Sequence, residues 1–266
     1  MKNILRKILG RFFISKIRAV FPSRVQKQLT QKERKEIEER SGFYQTFIGK
    51  NELCFDVGAN FGNRVSPLLN IGARVIAVEP QEICYAFLKK KFGKKITVIP
   101  KGLGESAGTA KFYLSDGPPM SSFSEEWIDS VKSGRFKDYK WDNDVMVEMT
   151  TLDLLIAEFG MPEFIKIDVE GYELEVLKGL TKAVKMVSFE YTVPEQSQRP
   201  ILCIEQIEKS NKEIECNYSV GESMRMAKDE WLSSAEMKEH LLTEAFINTG
   251  FGDIYVRSKI AFQQRN

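Results

Sequence analysis

Two acidic residues, each at the end of a short apolar run, are the first candidates for chemistry in this sequence. Asp56 leads into a turn in which Gly58 and Gly62 flank Asn60, and Glu79 ends a second apolar run one β–α–β step later. In an open parallel sheet, ligands bind at the carboxyl ends of the strands, where an acid can accept hydrogen bonds from ribose hydroxyls. The pair therefore predicts a nucleoside-cofactor site.

The residues of the turn indicate which class of cofactor binds. A dinucleotide fold uses glycines in a G-x-G-x-x-G pattern, so that its backbone can approach a pyrophosphate at a helix N-terminus. Here Asn60 replaces the middle glycine, and Arg64 and Val65 follow where the third glycine should be. A nucleoside without phosphates fits this turn better, so the sequence favours S-adenosylmethionine over NAD.

Three further carboxylates, Asp168, Glu170 and Glu190, lie where two later strands are predicted to end. A base at that edge can take a proton from a hydroxyl nucleophile, which accelerates reactions by about 10²–10⁴-fold. Asp168 is the first candidate, and its alternative role is to cap the helix that begins near Gly171. Lys166, inside the strand, can point to the site or pair with an acid. Carboxylates can also hold a divalent cation, but nothing in the sequence demands one and we predict no metal.

The composition limits the remaining classes of function. A chain of 266 residues with 42% hydrophobic and 29% charged residues can form one large α/β domain. A net charge of +2 gives no general argument for nucleic-acid binding. The four cysteines form no C-x-x-C pair, which argues against a zinc knuckle or a disulfide framework and favours a reducing cytoplasm. His240 is the single histidine, so a Ser-His-Asp mechanism is disfavoured.

The N-terminal segment differs from the rest of the chain. Between residues 1 and 27, apolar residues recur at helical spacing opposite lysines and arginines, and no acid precedes Glu33. We interpret residues 1–45 as a basic amphipathic helical extension and residues 46–266 as the main domain. The extension is either a helix packed on the domain or one that lies on an anionic membrane surface, at the inner face of the membrane.

Strand and helix patterns alternate along the main domain, which predicts a parallel sheet with right-handed crossovers. We predict strands at residues 53–58, 74–79, 96–100, 108–115, 145–149, 164–168, 186–190, 214–220 and 252–257, and helices at 67–70, 82–92, 151–159, 172–180, 200–210 and 229–247. Residues 116–144 interrupt this alternation as a lid-like insertion. Arg135, Tyr139 and Trp141 within it are candidates for substrate contact, and a structural role in a surface loop is the alternative.

Three motifs resemble those of FkbM-type S-adenosylmethionine-dependent methyltransferases: residues 56–62, residues 78–80 and residues 165–175. The resemblance covers about residues 50 to 195, and the Ile-Asp-Val-Glu-Gly stretch at 167–171 is its most specific element. It implies a Rossmann-like class I methyltransferase fold: an α/β domain with a mostly parallel seven-strand sheet and an antiparallel last strand. The members of that family that resemble this chain are mostly O-methyltransferases, which act on sugars, polyketides or other hydroxylated metabolites.

The resemblance also implies roles for individual residues. The cofactor-binding set would be Asp56, Gly58, Asn60, Gly62, Asn63, Glu79, Pro80 and Gln81. The residues up to Asn63 would frame the methionine moiety, Glu79 would bind the ribose, and Pro80 with Gln81 would flank the nucleoside. A turn-forming role for Asp56 and a solvent-facing Glu79 are the alternatives.

We therefore predict in-line methyl transfer to a hydroxylated small molecule or glycan, for which alignment of the reactants supplies on the order of 7–11 kcal/mol. N-methylation on the same fold, or a non-catalytic membrane-associated module that keeps the fold, are the alternatives. An NAD-dependent oxidoreductase is disfavoured by the missing glycines.

Overall fold

The computed structural model describes residues 30–259. The predicted amphipathic segment at residues 1–27 lies outside this range. The first described helix, α1 (Gln31–Tyr44), begins at a capping box: the Thr30 hydroxyl accepts a hydrogen bond from the Glu33 amide, and the Glu33 carboxylate accepts one from the Thr30 amide. No helix within residues 30–259 is both long and apolar enough to cross a bilayer.

Eleven strands and eight further helices follow among these residues. The strands are β1 (Leu53–Val57), β2 (Arg74–Val78), β3 (Ile96–Ile99), β4 (Gly102–Leu103), β5 (Gly108–Leu114), β6 (Asn143–Thr150), β7 (Phe164–Ile167), β8 (Met186–Thr192), β9 (Ile214–Val220), β10 (Leu232–Ser233) and β11 (Phe251–Ser258). The helices are α2 (Val65–Asn70), α3 (Glu82–Phe92), α4 (Glu125–Val131), α5 (Leu152–Phe159), α6 (Glu173–Lys178), α7 (Arg199–Glu208), α8 (Ser234–Leu241) and α9 (Glu244–Ile247).

The main sheet has the strand order β3-β2-β1-β7-β8-β11-β9-β10. Strands β3, β2, β1, β7 and β8 are parallel, and β11 runs antiparallel to both of its neighbours. The predicted mostly parallel α/β sheet with an antiparallel last strand is confirmed. The two-residue strand β10 adds an eighth, antiparallel strand that the sequence did not predict. The strand order reverses between β1 and β7, which is where open α/β sheets bind ligands.

A second, three-stranded sheet has the order β4-β6-β5. Strands β5 and β6 form an antiparallel hairpin, and the predicted insertion connects them. The insertion carries a short 3-10 helix at Pro118–Met120 and helix α4, which begins at the Ser124 cap. Trp127, Ile128 and Val131 of α4 form a small cluster with Phe136 and Trp141. The insertion therefore has an apolar core of its own.

Two hydrophobic clusters cover the two faces of the main sheet. Phe55 and Val57 of β1 belong to one cluster, whereas Cys54 belongs to the other. All five residues of β1 are buried, as expected for a central parallel strand covered on both faces. Phe43 and Tyr44, at the end of α1, are buried in the same cluster as Cys54.

The predicted helix over residues 229–247 was wrong. That segment instead contains β10, α8 and α9. Ser233 starts α8 with a capping box that includes Glu236, and Thr243 accepts a hydrogen bond from the Phe246 amide to start α9. Hydroxyl side chains compete for backbone amides in this way and so divide a helical pattern into shorter helices.

Candidate functional site

A cleft lies at the carboxyl ends of β1, β2 and β7. Its walls include five of the predicted cofactor-binding residues: Gly58, Asn60, Glu79, Pro80 and Gln81. Two of the predicted catalytic residues, Asp168 and Glu170, line the same cleft. The structure therefore brings the predicted nucleoside side and the predicted acceptor side together around one cavity.

Glu79 is held in place by the backbone on both sides of the cleft. One carboxylate oxygen accepts a hydrogen bond from the Asn60 amide at 2.7 Å, and the other accepts one from the Gln81 amide at 2.8 Å. Burial raises the pKa of Glu79 to about 7, although these two amides favour the ionised form. Only 3% of Glu79 is exposed, which excludes the solvent-facing alternative. Each carboxylate oxygen can accept a second hydrogen bond, so ribose hydroxyls can be bound here.

The two glycines of the turn are required for different reasons. Gly58 has a φ of +78°, and a Cβ atom there would lie 1.8 Å from the Asp168 carbonyl oxygen. The ends of β1 and β7 therefore meet backbone to backbone beside the cleft. Gly62 has a φ of +76°, and a Cβ atom there would lie 2.5 Å from the Phe92 ring. The absent side chain of Gly62 thus makes room for α3.

Asp56, Gly62 and Asn63 do not line the cleft. Asp56 is 1% exposed, and one of its carboxylate oxygens has no hydrogen-bond partner among the described residues. Burial raises the pKa of Asp56 to about 7, while Lys166 and Arg64 oppose that shift. Asp56 is therefore positioned beneath the glycine turn, on the side of the sheet that carries these two cations.

The three predicted catalytic carboxylates form a cluster. Asp168, Glu170 and Glu190 each place a carboxylate oxygen within 4.8 Å of the other two. Burial and the neighbouring Asp168 charge raise the pKa values of Glu170 and Glu190 well above the usual range. Oxygen ligands at such spacing can hold a hard divalent cation. The absence of a metal stays a prediction from the sequence.

Asp168 does not cap helix α6, and Glu173, which sequence reasoning missed, holds the turn that precedes this helix. Helix α6 begins at Glu173, whose carboxylate accepts hydrogen bonds from the Val169 amide at 3.2 Å and the Gly171 amide at 3.1 Å. Asp168 instead forms an ion pair with Lys166 at 3.2 Å. A carboxylate near a helix start was the signal, but sequence alone did not distinguish the two acids.

The three insertion residues predicted to contact substrate do not line the cleft. Arg135 donates hydrogen bonds to the Val193 and Gly250 carbonyls and to the Glu195 carboxylate. The Trp141 indole donates to the Met120 carbonyl, and Tyr139 is 39% exposed. Their contact with substrate stays a prediction.

Another part of the insertion covers the cleft. Pro119, Ser121 and Phe123 line it. The Gln81 amide nitrogen donates to the Pro118 carbonyl at 2.8 Å, and the Ser122 hydroxyl donates to the Glu170 carbonyl at 2.6 Å. These two hydrogen bonds attach the insertion to both sides of the site. Ser121 and Ser122 were visible in the sequence only as polar residues of the insertion.

Comparison with known proteins shows which family this chain matches. The model of the methyltransferase FkbM domain matches residues 56–223. Hexuronic acid methyltransferase AglP of Haloferax volcanii is 32% identical over 143 residues, which cover 53% of this chain and 54% of that protein. Methyltransferase sdnD of Sordaria araneosa is 29% identical, with 50% of this chain and 62% of that protein covered. The chain thus spans between half and two thirds of the length of these relatives.

A solved structure that resembles the chain does so distantly. A TehB-like S-adenosylmethionine-dependent methyltransferase from Corynebacterium glutamicum has a TM-score of 0.44 and 9% identity, with 83% of this chain and 88% of that chain covered. The assignment therefore rests on the family match, which spans more than half of the chain and includes every predicted cofactor-binding and catalytic residue. The chain belongs to the FkbM methyltransferase family.

Proposed function

We propose that this protein transfers the methyl group of S-adenosylmethionine to a hydroxyl of a small molecule or glycan. The observation that carries the proposal is the arrangement of one cleft: Glu79, held by two backbone amides, lines it together with Asp168 and Glu170. Family membership and the two methyltransferase relatives support the same activity.

The cofactor would lie along the cleft from Glu79 towards Asp168. Glu79 accepts the ribose hydroxyls, Pro80 and Gln81 flank the nucleoside, and the glycine turn at Gly58 faces the methionine moiety. The narrow approach between Gly58 and the Asp168 carbonyl supports this orientation, because it leaves no side chain between the turn and β7. Alignment of methyl donor and acceptor is then the main contribution of the protein to the rate.

The acceptor would bind at the carboxylate cluster. Glu170 and Glu190 interact closely, and their raised pKa values mean that the pair retains a proton more readily than isolated glutamates do. The ionised member of the pair can accept the proton that an acceptor hydroxyl loses as its oxygen attacks the methyl group. The insertion covers the cleft and would exclude water from this proton transfer.

A sugar hydroxyl is the acceptor that we favour. One relative is named for hexuronic acid, and that similarity supports a sugar acceptor for this chain. N-methylation is the second candidate, because three clustered carboxylates also attract a protonated amine. The two candidates differ in the acceptor atom, so one assay separates them.

The test has a binding step and a transfer step. Calorimetry of S-adenosylmethionine, S-adenosylhomocysteine and NAD with the full chain comes first, and we expect micromolar binding of the two sulfur nucleosides and none of NAD. Labelled methyl is then offered to D-glucuronic acid, D-glucose and D-glucosamine, and NMR of the product separates methyl on oxygen from methyl on nitrogen. Binding of neither sulfur nucleoside would refute the proposed activity.

A further inference from the structure

Lys166 is an unusual residue for the middle of a core strand. Its side chain is 1% exposed, within β7, which is buried at all four positions. The ammonium group lies 2.8 Å from an Asp253 carboxylate oxygen, 3.1 Å from the Ile167 carbonyl and 3.2 Å from an Asp168 carboxylate oxygen. The contacts to Asp253 and to the Ile167 carbonyl are hydrogen bonds, and the contact to Asp168 is an ion pair.

Asp253 joins this lysine to the turn that follows β1. The carboxylate is 4% exposed and lies on β11, two strands from β7. Its second oxygen accepts a hydrogen bond from the Tyr255 hydroxyl at 3.3 Å and lies 3.9 Å from the Arg64 guanidinium. Arg64 directly follows the glycine turn and pairs with Glu222 at 2.6 Å. A single buried acid thus contacts cations from both β7 and the turn after β1.

Strand register places these groups on one face of the sheet. Asp56 is paired with Lys166 across β1 and β7, and Asp253 is paired with Glu190 across β11 and β8. Alternate residues of a strand share a face, so Asp168 lies on the same face as Lys166. Replacing a buried ion pair by apolar residues is often neutral or stabilising, so stability alone does not explain a lysine here. Asp168 is the member of this group that reaches the cleft, with 29% of its side chain exposed.

We propose that Lys166, supported by Asp253, is a positioning residue that holds the Asp168 carboxylate towards the sulfonium of S-adenosylmethionine. This inference rests on the proposed function. Lys166 does not reach the cleft and acts only through Asp168. The sulfonium carries a positive charge that S-adenosylhomocysteine lacks, so the positioned carboxylate favours the methyl donor over the demethylated product.

The test compares the two nucleosides in a matched set of variants. The double variant Lys166→Met/Asp253→Asn removes one positive and one negative buried charge together, so no unpaired charge remains from the pair. Asp168→Asn removes the carboxylate that faces the cleft. Lys238→Met is the control, because Lys238 forms a half-buried ion pair with Glu208 at 2.9 Å, between two helices and outside the cleft. Calorimetry gives the Kd of each nucleoside for every variant.

We expect the ratio of the S-adenosylmethionine Kd to the S-adenosylhomocysteine Kd to rise about tenfold in the double variant and in Asp168→Asn. A tenfold change corresponds to about 1.4 kcal/mol. Lys238→Met leaves the ratio unchanged. Adding Asp168→Asn to the double variant produces little further change, because the carboxylate has already lost its support. A merely structural lysine would lower affinity for both nucleosides equally and leave the ratio constant.

Three results would overturn the inference. One is a folded double variant whose ratio stays within twofold of the wild-type ratio, and another is a full additional tenfold effect of Asp168→Asn in that background. If circular dichroism shows that the double variant is unfolded, the single variant Asp253→Asn is measured instead. An unchanged ratio of the two Kd values in that single variant is the third result that overturns the inference. Failure of both nucleosides to bind the wild-type chain refutes the proposed function itself, which distinguishes the two failures.

Discussion

Replacement of Glu79 is the most direct test of the cofactor side. Glu79→Ala removes both carboxylate oxygens, whereas Glu79→Gln keeps the shape and one acceptor oxygen. Glu82 is the matched control, because it lies three residues further on, at the exposed start of α3. The three variants change the same chemical group at buried and exposed positions, so the comparison isolates what the buried carboxylate binds.

The expected size of the effect follows from the hydrogen bonds. Hydrogen bonds to a charged group contribute about 1.5–3 kcal/mol each, so the loss of two ribose contacts costs about 3 kcal/mol or more. That corresponds to a weakening of S-adenosylhomocysteine binding by a hundredfold or more in Glu79→Ala. Glu79→Gln retains one acceptor oxygen, and we expect a weakening of about tenfold. Glu82→Gln changes the affinity by less than about twofold, because an exposed side chain contributes little.

The fold should survive both changes at position 79. Glu79→Ala leaves the amides of Asn60 and Gln81 without their acceptor, at a cost of about 2 kcal/mol. A domain of this size then loses about 4–8 °C in Tm. Calorimetry of S-adenosylhomocysteine together with thermal unfolding separates loss of binding from loss of structure. Wild-type affinity in a folded Glu79→Ala protein would refute the assignment of Glu79 to the ribose.

Three further predictions concern the turn, the buried carboxyls and the N-terminal segment. Gly58→Ala unfolds or strongly destabilises the protein, because its Cβ would meet the Asp168 carbonyl oxygen at 1.8 Å; wild-type Tm would contradict this. The free energy of unfolding of the ligand-free protein falls as pH rises from about 5 to 7. Burial raises the pKa values of Asp56, Glu79 and Glu173 to about 7. The folded state therefore binds more protons than the unfolded state between these pH values, and a rise in pH favours unfolding. Urea unfolding at pH 5, 6 and 7 measures this change, and a rise in stability would contradict it. For the N-terminal segment, deletion of residues 1–27 separates the two alternatives predicted from the sequence: a membrane-bound helix requires that deletion abolish co-sedimentation with phosphatidylserine vesicles, and equal binding with and without the segment refutes that alternative.

Local sequence patterns were sufficient to predict most of the sheet and the edge that carries the site. Asp56, Glu79 and Asp168 each follow an apolar run, and the ends of parallel strands meet at one edge, so their common location follows from strand direction alone. The helix at residues 82–92 and the strand at residues 214–220 are observed as predicted. The strand has an alternating apolar and polar pattern, and residues 82–92 contain no serine or threonine that offers a competing cap.

Side-chain pairing across the sheet could not be predicted in the same way. Asp253 lies 87 residues from Lys166, and Glu222 lies 158 residues from Arg64. Such pairs depend on strand order and register, which a local pattern does not contain. The same reason explains Arg135, whose residue type favours substrate contact but whose guanidinium binds carbonyls of two later loops. Residue type indicates what a side chain can bind, whereas topology decides which partner reaches it first.

The crowding of acids at this site has a physical explanation in the two buried cations. Asp56, Asp168 and Asp253 lie on the face of the sheet that holds Lys166 and Arg64, and these cations lower the pKa of Asp253 despite its burial. Among the described residues, no cation is hydrogen-bonded to Glu170 or Glu190, and burial with the Asp168 charge raises their pKa values. One fold therefore supplies carboxylates of two kinds within a few ångströms. Asp168 and Asp253, which pair with Lys166, can fix geometry, and in the proposed function Glu170 and Glu190 exchange the proton that methyl transfer to a hydroxyl releases.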